Sequence, residues 1–450
     1  MTKLHNPTLF SESDFNSFRF NRFLETNLGQ LYESIPFDEL ADLLPKKFST
    51  AGSPGWFSYQ GYFGVMFLKS YLNLSDAMLI DRINTDWALQ MFCGIQLKEN
   101  QQIRDKDIPS RIRKFIGENL DIETFQQVMI RHWKPYMQDT HCFLNDATAY
   151  ESYIKYPTDV KLLWDCCNWV FENMFAICKF LKIRCPRSKY RDHQLQQVNY
   201  QKNRRKTYKL TRKRKRLLLL LLAKGLGQLE DIIDQYQEQT GHLVNEKFQQ
   251  KLRTISIILE QQQYMYDNPG KSIQDRIVSL FKPYLRPIVR GKETKRVEFG
   301  AKVMSSQIDG INFIDKLSFD PFNESVYLQQ SIINHKVRFG KCFQVGIDQI
   351  YGSNTNRRYM SENKIYSCLV RKGKPSKLED QARELRKQLG KERATVLEGS
   401  FGNEKNHYGL NKIKARLKET EIAWIFFGIM TANAMKIAKR KANPINQATA

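Results

Sequence analysis

Three acidic residues in this 450-residue chain are placed where they could do chemistry together. Residues 141–146 (HCFLND) form a short apolar run that ends on Asp146, and residues 342–348 (CFQVGID) form another that ends on Asp348. Both read as short strands, with aromatic and branched residues stopping at a polar turn position. Glu398 lies on a helical segment further along. If the two strands lie side by side and the helix crosses them, the three carboxylates converge at one sheet edge. Carboxylates that close repel each other unless a divalent cation neutralises them, so such a cluster implies Mg²⁺ or Mn²⁺. Two ions roughly 3.5–4 Å apart can activate an attacking oxygen and stabilise a leaving one in phosphoryl transfer. Residue types and spacing alone leave a plainer reading open. An Asp at a strand end is commonly a turn or cap residue, and Glu398 is one helix carboxylate among many.

The elements that must position these groups follow from the pattern of the chain. Residues 1–33 are polar and read as an N-terminal arm. Residues 34–138 read as a helical domain, with 59–71 (YQGYFGVMFLKSY) apolar nearly all round and therefore buried. Residues 139–156 carry the first strand. Residues 157–290 read as a helical insertion; within it, 188–263 suggest two long helices packed as a hairpin and interrupted at Gly225 and Gly227. Residues 291–441 return to strands at 297–305 and 311–319, with Asp309-Gly310 between them as the hairpin turn. Then come a helix at 323–335, the strand at 342–348, a helix at 355–363 and a strand at 365–370. Helices at 377–389, 392–403 and 410–441 follow, and 442–450 is expected to be a disordered tail. With the helical block set aside, the order is β-β-β-α-β-α-β-α. That is the order of an RNase H-like mixed sheet, which predicts an α/β core with an all-α N-terminal domain and an all-α insertion between the first and second core strands.

Charge and cysteines narrow the partners. Seventy-one Lys and Arg against 47 Asp and Glu give a net charge of +24, and self-repulsion on that scale is relieved by a polyanion. Between Lys202 and Arg216 (KNRRKTYKLTRKRKR), ten of fifteen residues are basic. Arg204, Arg205, Lys206, Arg212, Lys213, Arg214, Lys215 and Arg216 are therefore candidate DNA-phosphate contacts, although a charge run is more often a solvated face. No apolar run is read as approaching the roughly 18–20 residues of a membrane span, so double-stranded DNA is the expected partner and no membrane is. The eight cysteines form no CxxC pair and have no matching histidines, so no structural zinc site is expected. Their even count, in a long chain with no secretion signal, reads as reduced cytosolic thiols; with DNA as the expected partner, the protein is expected to be cytoplasmic and nucleoid-associated. His132, His141, His193, His335 and His407 are dispersed and are assigned no ligand role.

Four strings, in order, resemble the DDE transposases of bacterial insertion sequences, in the group numbered four and five in insertion-sequence naming. They are GSPGWFSYQGYFGVMFLKSYLNLSDAMLIDRINTDWALQMFCGI, LNDATAYESYIKYPTDVKLL, DQIYGSNTNRRY and LEGSFGNEKNHYGLNKIKARLKET; a fifth, VEFGAKVMSSQIDGINFIDKLSFDPFNE, is similar to the strands between them. The resemblance implies catalytic, metal-binding carboxylates at Asp146, Asp348 and Glu398 with two Mg²⁺ (or Mn²⁺) ions, and a catalytic lysine at Lys405. It places Tyr351, Asn356 and Arg357 at recurrent positions beside DNA. It further implies recognition of element ends by the N-terminal helices, strand cleavage with 3′-hydroxyl strand transfer, and a homodimer or higher oligomer on DNA. Seven residues, about two helical turns, separate Glu398 from Lys405, so both can face one side. Two positions depart from the pattern. Lys391 stands where relatives carry a tyrosine, and Arg393 is one residue out of step with their arginine. Glu404 is the competing third carboxylate. A catalytically silent DNA-binding protein and a nuclease without strand transfer are the alternatives.

Overall fold

The helices of the N-terminal third start where the sequence supplies caps. In a computed structural model, which describes residues 12–46, 55–289, 297–370, 372 and 379–443, these are α1 (Glu12–Leu24), α2 (Asn27–Glu33), α3 (Phe37–Asp42), α4 (Tyr59–Leu72), α5 (Asp76–Thr85), α6 (Trp87–Phe92), α7 (Ile108–Asn119) and α8 (Ile122–Trp133). Thr26, Ser58, Ser75, Asp86 and Asp121 each accept a backbone N–H from the helix they precede, satisfying donors that have no partner within the helix. Most of the expected tail lies outside the described residues, as do residues 1–11 of the expected arm and 377–378 of an expected helix.

The chain divides into two compact units: Met1–Ser152 with Ala301–Ser318 and Phe322–Ala450, and Tyr153–Gly300 with Phe319–Pro321. The N-terminal helices thus share a unit with most of the sheet, where the sequence suggested a separate domain over 34–138. The reason is the last helix, α17 (Lys418–Ala442), which is buried on nearly every side. Phe427 packs on Phe63 and Phe67 of α4, and Phe426 on Phe125 of α8. A Cβ on Gly117 of α7 would stand 2.6 Å from the carbonyl oxygen of Glu419, so glycine is what lets α7 approach. Contrary to the sequence reading, this helix is long and apolar enough to cross a membrane by length and composition, with 78% of its apolar window buried inside the protein. Its apolar surface is used as core.

The sheet runs β2-β3-β1-β5-β6, with β4 on β3 and β7 on β1. Its strands are β1 (Cys142–Ser152), β2 (Pro287–Val289), β3 (Val297–Ile308), β4 (Ile311–Ser318), β5 (Gln344–Gly346), β6 (Tyr366–Ser367) and β7 (Lys412–Ile413). β3 and β4 are antiparallel, joined at Asp309-Gly310, both with positive φ (47° and 74°), as a two-residue hairpin turn of this kind requires. β5 and β7 both run parallel to β1, at opposite ends of it. β7 falls where the sequence suggested helix, and β1 is longer than expected because Thr148 and Tyr150 continue its buried face. The helices α13 (Leu328–Phe339), α14 (Asn354–Glu362), α15 (Glu379–Glu392) and α16 (Glu398–His407) complete this unit.

In the second unit, α9 (Asp159–Leu181), α10 (Tyr190–Lys202), α11 (Tyr208–Thr240) and α12 (Glu246–Asp267) enclose one apolar core. Three helices, rather than two, occupy residues 188–263. α11 continues through Gly225 and Gly227 and ends at Gly241 (φ 67°). Gly225 is there for packing: a Cβ would meet the Phe171 ring of α9 at 2.9 Å.

One buried ion pair ties the first unit together. Arg338 of α13, almost fully buried, donates to Asp315 of β4 at 2.9 Å and to Glu123 of α8; Asp315 also accepts from Asn145 of β1. Burial pushes the Asp315 carboxyl up, and Arg338 opposes that shift. Arg338→Ala should destabilise the protein by about 3–5 kcal/mol, because it leaves a buried carboxylate without its cation. Urea denaturation checks this; a loss under about 1 kcal/mol, the range of a surface pair, contradicts it.

Candidate active site

The even-numbered residues of β1 build the site. Successive side chains of a strand point to opposite faces, so Leu144, Asp146, Thr148 and Tyr150 share one. Leu144 packs with Leu397 and Phe401, Thr148 accepts a hydrogen bond from Lys405 Nζ at 2.8 Å, and the Tyr150 hydroxyl donates to Glu404. The helical segment from 393 to 405 therefore crosses this face of β1. On the other face, Phe143 stacks on His335 at 4.9 Å, and Asn145 is held by Ser306 and Asp315.

Asp146 lies within β1 rather than at its end, half-buried, and Arg393 joins it to Glu398. One guanidinium nitrogen, Nη1, is 2.7 Å from Asp146 Oδ2 and 3.5 Å from Glu398 Oε1. The backbone explains how. Arg393–Leu397 form a π-helical turn between α15 and α16, where the backbone bonds residues five apart and the turn is wider than in an α-helix. In an uninterrupted α-helix, five residues would set Arg393 and Glu398 roughly 140° apart around the axis. The widened turn brings the arginine over the glutamate, so the residue that looked out of step in the sequence makes the central contact of the site.

Asp348 follows β5 instead of ending it. β1 and β5 pair Leu144 with Gly346, the last pair of their register, and Asp146 and Asp348 each follow that pair by two residues. Asp348 is exposed and caps a short 3₁₀ turn by accepting from the Gln349 N–H. Among the described residues, no three His, Cys, Asp or Glu side chains are gathered closely enough to hold a metal ion. Asp146 and Glu398 come together; Asp348 stands on the neighbouring strand's extension.

The other sequence candidates divide by burial. Tyr351 is fully buried and donates to Glu324 at 3.1 Å. Asn356, also buried, donates to the carbonyls of Ser325 and Tyr351. Arg357 donates to the carbonyls of Gly352 and Val370. These three fasten the segment behind Asp348. Lys405 reaches β1 two residues beyond Asp146 and also lies over the Tyr150 ring. Glu404 is sealed inside, bonded to Tyr150 and to Asn312 at 2.5 Å; burial raises its carboxyl.

In the second unit, the basic run is split. α10 ends at Lys202 and α11 starts at Tyr208, with Arg204, Arg205 and Lys206 exposed between them. Lys213 and Arg216 are exposed, and Arg212 is half-buried over the Tyr266 ring at 4.6 Å. Arg214 and Lys215 point inward, against the reading that made them DNA contacts. Arg214 bonds Gln197 and the His193 carbonyl, and Lys215 pairs with Asp159 at 3.0 Å. At helical spacing, a run this long cannot keep every side chain on one face.

Burial is the largest influence on Asp146 and raises its pKa; the Ala147 N–H and Arg393 oppose the rise, while Glu324 and Glu398 add to it. Nothing in the sequence marked Glu324, which is salt-bridged to Lys302 at 2.6 Å. Arg393→Gln removes a stabiliser of the ionised form, so the Asp146 pKa should rise further, while Arg393→Lys should limit the rise. Carboxyl-carbon NMR titration reads this directly, and an unchanged titration in Arg393→Gln contradicts the contact.

Residues 18–115, which include α2 to α6 and most of α7, match the model of a family described as a transposase domain (DUF772). No curated protein and no solved structure matches the chain. The match supports a transposase family.

Proposed function

We propose that this chain is a DNA transposase of the DDE type. It binds the ends of an insertion sequence, hydrolyses a phosphodiester there, and joins the freed 3′-hydroxyl to target DNA. The observation that carries this reading is the meeting of Asp146 and Glu398, from distant parts of the chain, around one positive charge on the central strand. The strand order β4-β3-β1-β5-β6 supports an RNase H-like core, since it sets the first and fourth core strands side by side. The transposase-domain match supports the biological setting.

The donor set suits a hard divalent cation, being carboxylate oxygen throughout. Asp146, Asp348 and Glu398 are the residues we propose to hold Mg²⁺ or Mn²⁺. A bound pair of such ions supplies charge neutralisation and lowers the pKa of an attacking water. The protein's own part is positioning and electrostatics. Arg393 keeps Asp146 and Glu398 close and partly neutralised. Lys405 is fixed beside them as a cation for substrate phosphate. Tyr351, Asn356 and Arg357 hold the segment that presents Asp348. The exposed Arg204, Arg205, Lys206, Lys213 and Arg216, with Arg212 at their edge, offer a phosphate-binding surface, and Arg214 and Lys215 anchor the helix that carries it. A homodimer or higher oligomer on DNA, acting in the cytoplasm at the nucleoid, belongs to the same proposal.

One observation favours a catalytically silent DNA-binding protein: Arg393 stands between two of the carboxylates a cation would need. The two readings separate in a single assay with labelled element-end DNA. In Mg²⁺ the wild-type protein should cut the strand at the element end, and chelation should stop it. Asp146→Asn should abolish cleavage while end binding persists. Cleavage retained by Asp146→Asn contradicts the assignment, and wild-type binding without any cleavage favours the silent reading.

A further inference from the structure

A groove of about 670 Å³ in the first unit lies between α5, α7 and the segment 409–424. Its lining is strongly cationic. Lys69, Arg111, Arg113 and Lys114 come from the helices within the transposase-domain match, and Lys412, Lys414 and Arg416 come from the chain after α16; Asp76 and Asp107 are the acids among the lining residues.

The charges are of two kinds. Lys69 and Arg113 are buried and both pair with Asp76 at 2.8 Å, while Arg113 also stacks on Trp424 at 4.6 Å. They form the floor. The outer cations are more open. Lys114 meets the exposed Glu118 at 3.6 Å, an arrangement worth little in water, and Lys412 meets the half-buried Glu151 at 3.6 Å. Lys412, Lys414 and Arg416 are exposed while Ile413 and Ala415 are buried, so alternation turns all three to one side. The floor already feels this crowding: after burial and the opposing pull of Asp76, Arg113 and Lys414 both lower the Lys69 pKa. Like charges gathered in a concave, partly desolvated site concentrate an anion there.

The groove is also tied to the carboxylates. β7 pairs Lys412 with Glu151 of β1, so the groove begins five residues along β1 from Asp146, about 17 Å. That is about the axial rise of five base pairs of duplex DNA. Arg111 also lines a second cavity of about 590 Å³, together with Trp56, Tyr59, Tyr62 and Phe115. A row of cations of this extent suits the repeating phosphates of a nucleic acid better than a lone inorganic anion.

We propose that this groove grips the backbone of the same double-stranded DNA whose scissile phosphate lies at Asp146, with Lys114, Lys414 and Arg416 as its phosphate contacts. The inference rests on the transposase reading but uses surfaces that the reading does not require. The test is fluorescence anisotropy of a labelled 30-base-pair duplex against salt, in Ca²⁺ to avoid cleavage. Three variants accompany the wild type: Lys114→Gln/Lys414→Gln/Arg416→Gln, its charge-preserving counterpart Lys114→Arg/Lys414→Arg/Arg416→Lys, and Arg204→Gln/Arg205→Gln/Lys206→Gln. Each phosphate contact contributes about −0.9 to the slope of log K against log[salt]. The neutral groove triple should therefore lose roughly 2–3 units of slope and bind at least tenfold more weakly, while the charge-preserving triple keeps the wild-type slope. An unchanged slope in the neutral triple overturns the inference, as does equal weakening in the charge-preserving triple. A defect seen with an RNA duplex and not with DNA overturns it too. Wild-type protein that binds no duplex at all sinks the transposase reading itself, whereas a defect confined to the Arg204–Lys206 variant sinks the groove alone.

Discussion

A carboxylate half-buried on the central strand of a sheet needs a positive charge beside it, and here Arg393 supplies that charge. Asp146 cannot be hydrated as a surface residue is, and burial drives its pKa upward. An arginine within 2.7 Å favours the ionised form, and a shared contact with Glu398 brings the second carboxylate in. The π-helical turn makes this possible, because it changes which residues face β1. π-turns inserted in α-helices concentrate at functional positions, and this one carries Leu397, which packs with Phe401 of α16 on Leu144.

The surrounding structure holds that segment in place. Leu397 and Phe401 seat it on Leu144, Lys405 bonds Thr148, and Glu404 ties it to the buried polar network of Tyr150 and Asn312. Glu404 and Glu398 thus divide the work of one helix. The first is an internal fastener and the second faces solvent at the site. After α16 the chain runs through Gly409 into β7 and α17, so the segment bearing Glu398 is anchored on its C-terminal side by the core of the first unit.

Much of this was legible in the sequence. The two aspartates at strand-like runs, the Asp309-Gly310 hairpin and the helical character of α9 to α12 follow from local chemistry; Glu398 is singled out only by the resemblance, and β2 at Pro287–Val289 falls inside the stretch expected to be a helical insertion. What was missed has physical causes. The strand at 142 was read as ending at Asp146 because a polar residue usually stops a strand, but Thr148 and Tyr150 find partners on α16 and carry it on. Arg393 stands one residue out of step with the arginine of the transposases that the chain resembles, and the π turn that brings it onto Asp146 and Glu398 leaves no trace in the sequence pattern. Arg214 and Lys215 were counted with their exposed neighbours because a one-dimensional charge run does not reveal which side of a helix is buried. α17 was not foreseen as the core of the N-terminal helices, since contact between residues so far apart in the chain leaves no periodic trace.

The account turns on whether Asp146 and Glu398 form a cation site from which Arg393 can be displaced. Anomalous diffraction from crystals of the wild-type protein soaked in Mn²⁺ tests this most directly. The account predicts a strong peak bonded to carboxylate oxygens of both residues, with the Arg393 guanidinium moved away from its position between them. Full Mn²⁺ loading elsewhere, with Arg393 still bridging the two carboxylates and no peak beside Asp146, would contradict it.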